Sequence, residues 1–127
     1  MTRIFVALGA LAAFLAVAAG AFGAHALEAR LPPDRLETFK LGAQYQMYHA
    51  LGLLAVAWAT TRWPGALTSA AGWLFVAGIV VFSGTVYALG LGGPRWLGAI
   101  TPIGGTSFLV GWLLLAWAAL RSGAAGV

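Results

Sequence analysis

Four apolar stretches, separated by short polar connections, make up nearly the whole chain. They cover residues 4–27, 40–61, 67–91 and 96–120. Each stretch has about the 20 residues that a helix needs to cross hydrocarbon about 30 Å thick. Because backbone groups in lipid must be hydrogen-bonded within the segment itself, all four stretches are predicted to be membrane-spanning helices.

The connections predict how these helices are arranged. Residues 31–34, Leu-Pro-Pro-Asp, end the first helix because proline removes a backbone donor and restricts the residue before it. Asp34 and Glu37 have the spacing of a capping box, which predicts that the second helix begins at Arg35. Residues 61–65 and 90–95 are short turns. Short links imply antiparallel neighbours, so the prediction is all-α: one domain forming an integral membrane up-down four-helix bundle.

The composition agrees with a membrane protein. Of the 127 residues, 61% are hydrophobic and 8% charged, and the mean hydropathy is +0.91. Soluble domains carry about 25% charged residues, so this chain cannot cover a water-facing surface. The seven lysines and arginines are scattered rather than clustered, so no nucleic-acid partner is expected. The absence of cysteine excludes disulfides and thiolate metal sites.

The first helix and the orientation each have two interpretations. Arg3, an apolar stretch and the sequence Ala24-His25-Ala26 also resemble a cleavable signal peptide. The apolar run is longer than the usual signal, so we expect a retained helix. Counting Lys and Arg does not decide the orientation, and cytoplasmic termini are only a default. The side with both termini carries Arg3, Arg62 and Arg121, and the other side carries Arg30, Arg35, Lys40 and Arg95.

Small residues predict close packing between the helices. Their rows are Ala12, Ala16, Gly20 and Ala24 on the first helix, Gly72, Gly78 and Gly84 on the third, and Gly98, Gly104, Gly105 and Gly111 on the fourth. In lipid, such residues let helix backbones approach one another. Pro102 lies within the fourth helix, where we expect a kink rather than a binding site.

Polar residues collect in the half of the bundle next to the first and third connections. The candidate ligand-binding residues there are His25, Gln44, Tyr45, Tyr48, His49, Thr85, Tyr87 and Thr101. Gln46, Ser83, Thr106 and Ser107 lie in the same half. The opposite half holds Trp58, Trp63, Trp73, Trp112 and Trp117, as in an interfacial belt. On a helical wheel, one face of the second helix is predicted to point into the bundle and the opposite face towards lipid. The inward face holds Gly42, Tyr45, His49 and Gly52, and the outward face holds Met47, Ala50, Leu51 and Leu54.

Four motifs along the chain carry a family resemblance. They are residues 20–25 (GAFGAH), residues 44–50 (QYQMYHA), residues 82–84 (FSG) with Tyr87, and residues 98–105 (GAITPIGG). Together they resemble the small membrane proteins of "domain of unknown function 423", which include bacterial YgdD proteins and eukaryotic transmembrane protein 256. The resemblance implies a four-span protein, located in bacteria in the cytoplasmic (inner) membrane. It implies no activity.

Two functions remain open from the residues. In the first, the polar half is a vestibule on the side of the first and third connections that binds a lipid headgroup, a quinone or a small polar solute, because ionisable residues within spans are functional candidates. In the second, the protein has a structural or assembly role. Its polar residues then only join helices, and its glycine rows contact a second copy or another membrane protein.

Two further classes have less support. His25 and His49 are the residues on which a haem or metal site would depend, but no intramembrane carboxylate accompanies them, so we expect no cofactor. An enzyme is also not expected, because no nucleophile–base pair or phosphate-binding loop is evident. The expected partners are therefore the lipid bilayer, with a small-molecule or lipid ligand or a partner subunit.

Overall fold

The architecture is an up-down bundle of four helices. The structure is a computed structural model that describes residues 1–126, with side chains for residues 1–121. The helices are α1 (Thr2–Leu27), α2 (Pro33–Arg62), α3 (Ala66–Gly90) and α4 (Leu97–Gly126). Helices α2 and α3 form the central pair; α1 packs on α2, and α4 packs on α3. The predicted all-α membrane bundle is therefore confirmed.

Three of the helices are long and apolar enough to cross a membrane: Thr2–Leu27, Ala66–Gly90 and Leu97–Arg121. Helix α2 is not among them, because the polar residues 44–49 lower its mean hydropathy. At about 1.5 Å per residue its 30 residues nevertheless rise about 45 Å. The limits of the spans within the helices stay a prediction.

The start of α2 differs from the capping box predicted at Asp34 and Glu37. The helix begins at Pro33, with Pro32 as its N-cap residue and no side-chain capping bond. Asp34 instead offers its backbone oxygen to the Thr38 hydroxyl at 3.1 Å. Proline suits the first helical position because its φ is already helical and its missing N–H would have no partner there. Pro33 therefore starts the helix that it was expected to precede.

Large side chains fill the centre of the bundle where small residues make room for them. Phe5, Leu53, Val56, Phe75 and Phe108 are buried together in the main core. A methyl group added at Gly72 would lie 2.4 Å from the Phe5 ring, and one at Gly78 would lie 2.4 Å from the Phe108 ring. Sequence patterns that placed these glycines at helix contacts are thus confirmed.

Not every small residue packs against a neighbouring helix. Gly104 does, since a Cβ there would meet the backbone nitrogen of Phe82 at 2.4 Å. A Cβ at Gly84 or Gly98 would meet nothing within 4 Å, so these two predicted contacts are wrong. Ala50, predicted to face lipid, is fully buried, because the close approach of Gly9 covers it.

Candidate functional site

Helices α1 and α3 each contain a π-helical turn, at Ala18–Gly23 and Ile79–Ser83. A π-helical turn inserts an extra residue and so changes which side chains face a neighbour, and such turns are frequent at functional sites. The turn in α3 ends at Ser83, which is 1% exposed. Its hydroxyl donates to the Gly42 backbone oxygen of α2 at 3.0 Å. The π-helical turn therefore ends at a polar contact between the two central helices.

Gln46 joins three helices through one amide. Its Nε2 donates to the backbone oxygen of Ala12 on α1 at 2.8 Å. Its Oε1 accepts from the Tyr87 hydroxyl of α3 at 2.7 Å. The approach to Ala12 depends on the small-residue face of α1, where Ala16 is also buried. Gln46 is 5% exposed, and both ends of its side chain are satisfied within the protein.

His49 is the aromatic centre of the bundle. Its ring stacks on Phe108 of α4 with centroids 3.5 Å apart and meets the edge of Phe75 at 5.3 Å. Nδ1 lies 2.7 Å from the Tyr45 backbone oxygen, and Nε2 lies 3.0 Å from the Trp112 indole nitrogen. A carbonyl only accepts and an indole N–H only donates. These partners therefore fix a neutral imidazole with its proton on Nδ1.

Helices α3 and α4 are joined by two further polar contacts. The hydroxyls of Thr85 and Thr101 lie 2.6 Å apart, and Thr85 also reaches the Val81 backbone oxygen within the π-helical turn. Ser107 donates to the Leu74 backbone oxygen at 2.6 Å. Across the part of the chain with described side chains, no buried side-chain nitrogen or oxygen lacks a hydrogen-bond partner.

Of the predicted site residues, four take part in this network: His49, Thr85, Tyr87 and Thr101. Tyr45 lies at its edge, half-buried against the Phe82 ring at 4.9 Å.

The other three predicted site residues, His25, Gln44 and Tyr48, are exposed on the outside of the bundle. The His25 side chain is 86% exposed and lies 3.9 Å from Glu28, whereas His49 is buried. The two histidines are therefore not brought together. No group of three or more potential metal ligands occurs among the described residues.

The predicted set omitted residues that the structure places in the network. Gln46, Ser83 and Ser107 were recognised in the polar half but not among the candidate ligand-binding residues. Trp112 was assigned to an interfacial belt, yet its indole N–H bonds to His49. A helical-wheel signal existed for Gln46, because it lies four residues after Gly42 and three before His49. No sequence signal linked Trp112 to a histidine 63 residues away.

The fold and this network define the class: an integral membrane four-helix bundle with polar side chains bonded between its helices. Residues 19–105 match the family model "Protein of unknown function (DUF423)". A similar protein, the UPF0382 membrane protein YwdK of Bacillus subtilis, is 50% identical over 88 residues, which are 68% of this chain and 72% of YwdK. A UPF0382 membrane protein of Staphylococcus epidermidis is 47% identical over 119 residues, 94% of this chain and 97% of its own.

The chain therefore belongs to the DUF423 family, as its four motifs indicated. No solved structure matches it. The names of these relatives describe membrane proteins and give no activity.

Proposed function

We propose that this chain is a structural membrane protein, whose buried polar side chains hold four helices in one fixed arrangement instead of lining a vestibule. The observation that carries the proposal is that the buried polar groups have partners within the protein throughout the described side chains. An open binding site would leave some of these donors and acceptors free for a ligand. The imidazole of His49 has both nitrogens engaged, so no ring atom is left for a ligand or a metal.

Side-chain hydrogen bonds link all four helices. Side-chain bonds join α1 to α2, α2 to α3, α2 to α4 and α3 to α4. Within lipid, each such bond contributes about 0.6–2 kcal/mol. Apolar association between helices is weak in a membrane, because lipid tails are as apolar as the side chains. Polar bonds and close packing are therefore the natural means of fixing this bundle.

A second candidate is binding of a lipid headgroup or small polar solute on the side of the first and third connections. It is favoured by an open groove between α1 and α2, with a volume of about 600 Å³. Glu37, Lys40 and Gln44 line its polar edge, and Ala16 and Gly20 line its apolar side. Only Gln44 among the predicted site residues lines it. The paired charges of Glu37 and Lys40, 3.8 Å apart, suit a headgroup carrying both an amine and a phosphate.

The same proposal includes a location and a set of partners. A helical bundle suits the inner (cell) membrane, because outer-membrane proteins that span the bilayer are β-barrels. The structural role requires no catalytic residue, so we propose that the protein is not an enzyme. Its partners are the bilayer and, for an assembly role, a second copy or another membrane protein.

Native mass spectrometry of protein purified in two mild detergents tests the proposal against the second candidate. We expect no polar small molecule to remain bound. A molecule of defined mass, retained by the wild type and lost in Lys40→Gln and Gln44→Leu, would favour the groove instead. Leu41→Ala is the matched control, because Leu41 is exposed on the same helix but does not line the groove.

A further inference from the structure

Charge is distributed unevenly between the two ends of the bundle. The chain has three carboxylate side chains, Glu28, Asp34 and Glu37, and all lie next to the first connection. The opposite end, with the α2–α3 connection, carries Arg3, Arg62 and Arg121, all exposed. No Asp or Glu occurs after residue 37. The arginines at this end therefore have no acidic side chain with which to pair, and they attract anionic lipid headgroups instead.

An apolar groove begins at this same end. Helix α2 packs on α1 and α3, and α4 packs on α3, so α2 and α4 approach each other at few positions, such as His49 with Phe108. A groove of about 270 Å³ remains between α2 and α4. It is lined by Ala55, Trp58, Trp63, Trp112, Leu115 and Ala119. These side chains are apolar or indole rings, and the groove is open to the surroundings of the bundle. In a bilayer those surroundings are lipid tails, so a hydrocarbon chain is the occupant that the lining suits.

The groove and the arginines meet at Trp63. This residue lines the groove and also a neighbouring recess of about 180 Å³, whose wall includes Arg121. Arg62 follows Trp58 by four residues, so both lie on the same face of α2. Indole rings prefer the boundary between hydrocarbon and headgroups. This end of the bundle thus combines exposed arginines with the apolar groove between α2 and α4.

We propose that this end binds one anionic phospholipid, with its phosphate at Arg62 and Arg121 and an acyl chain in the groove between α2 and α4. The phosphate position lies at the opposite end from the polar half, and the groove shares Trp112 with that half, since the Trp112 indole also bonds to His49. An anionic headgroup is preferred to a zwitterionic one because no Asp or Glu side chain occurs at this end to attract an amine.

Lipid retention from nanodiscs tests the headgroup half of the proposal. The protein is reconstituted in equal amounts of phosphatidylglycerol and phosphatidylcholine, and lipids that remain bound are counted by native mass spectrometry. We expect the wild type to retain phosphatidylglycerol preferentially. Arg62→Gln with Arg121→Gln is expected to reduce that preference about 25-fold, which is about fivefold for each arginine. The matched control, Arg30→Gln with Arg95→Gln, changes the same charge at the other end and is expected to keep the preference.

The acyl half is tested by filling the groove. Ala55→Leu with Ala119→Leu is expected to reduce retention of both lipids, whereas Ala10→Leu, on an exposed position of α1, is expected to leave retention unchanged. Unchanged retention in the filled variant would overturn the proposal. So would no lipid preference in the wild type, or an equal loss in both arginine pairs. A dimer that the filled variant abolishes would assign the groove to a second copy and would also overturn it.

Discussion

Two glutamines two residues apart have opposite roles, which shows how much depends on the side of a helix. Gln46 is buried and bonded at both ends of its amide, whereas Gln44 is exposed beside the groove between α1 and α2. Their chemistry is identical, so composition alone could not separate them. The difference comes from the rotation of α2 about its axis, which places the Gln46 side chain between Ala12 and Tyr87.

This pair gives a matched stability prediction. Gln46→Leu removes both bonds and leaves the Tyr87 hydroxyl without its partner, so we expect it to lower the free energy of unfolding by about 1–2 kcal/mol. Gln44→Leu is expected to change it by less than about 0.5 kcal/mol. Reversible denaturation in mixed detergent micelles measures both. Equal losses in the two variants would show that Gln46 does not join the helices.

The tautomer of His49 is a second prediction at the residue scale. Its partners require a proton on Nδ1 and a bare Nε2 that accepts from Trp112. Nitrogen-15 NMR of histidine-labelled protein in lipid is expected to show one neutral imidazole with a protonated Nδ1. Trp112→Phe keeps the aromatic ring but removes the indole donor, so the Nε2 resonance is expected to shift. A protonated Nε2 in the wild type would contradict the contact.

At the scale of the elements, four helices and their order could be predicted from the length of the apolar stretches and of the connections between them. The start of α2 could not be predicted, because a proline can either precede a helix or occupy its first position. The interpretation of residues 32–34 assumed the first case, whereas Pro33 occupies the first helical position. The π-helical turns Ala18–Gly23 and Ile79–Ser83 were also not predicted. An extra residue per turn leaves no pattern in an apolar segment, where nearly every position is hydrophobic.

Close approach of α3 and α4 gives a prediction for two glycines. In Gly104→Ala the new methyl group would meet the Phe82 backbone, which cannot move away as a side chain can, so we expect a loss of about 1–3 kcal/mol. Gly84→Ala is the control, because a methyl group there meets open space. Alanine also favours helix over glycine by about 1 kcal/mol, so this variant is expected to be neutral or stabilising. Thermal denaturation in detergent compares the two.

At the scale of the whole molecule, the position of the polar half could be predicted from the sequence, but not whether that half is open or closed. The sequence places His49, Thr85, Tyr87 and Thr101 in one half of the bundle, and in the structure each of them takes part in a hydrogen bond between two helices. Whether such a zone is open depends on long-range contacts such as Trp112 with His49. A single sequence contains no local signal for such a pair.

Cysteine accessibility in native membranes tests the central claim, that the polar half is closed, most directly. The chain lacks cysteine, so Ser83→Cys introduces one thiol at a buried position in a side chain of similar shape. His25→Cys places a thiol at an exposed control position near the end of α1. We expect a water-soluble maleimide to modify the His25→Cys protein rapidly and the Ser83→Cys protein only after denaturation. Modification of both at similar rates in intact membranes would contradict the account and indicate a water-filled vestibule.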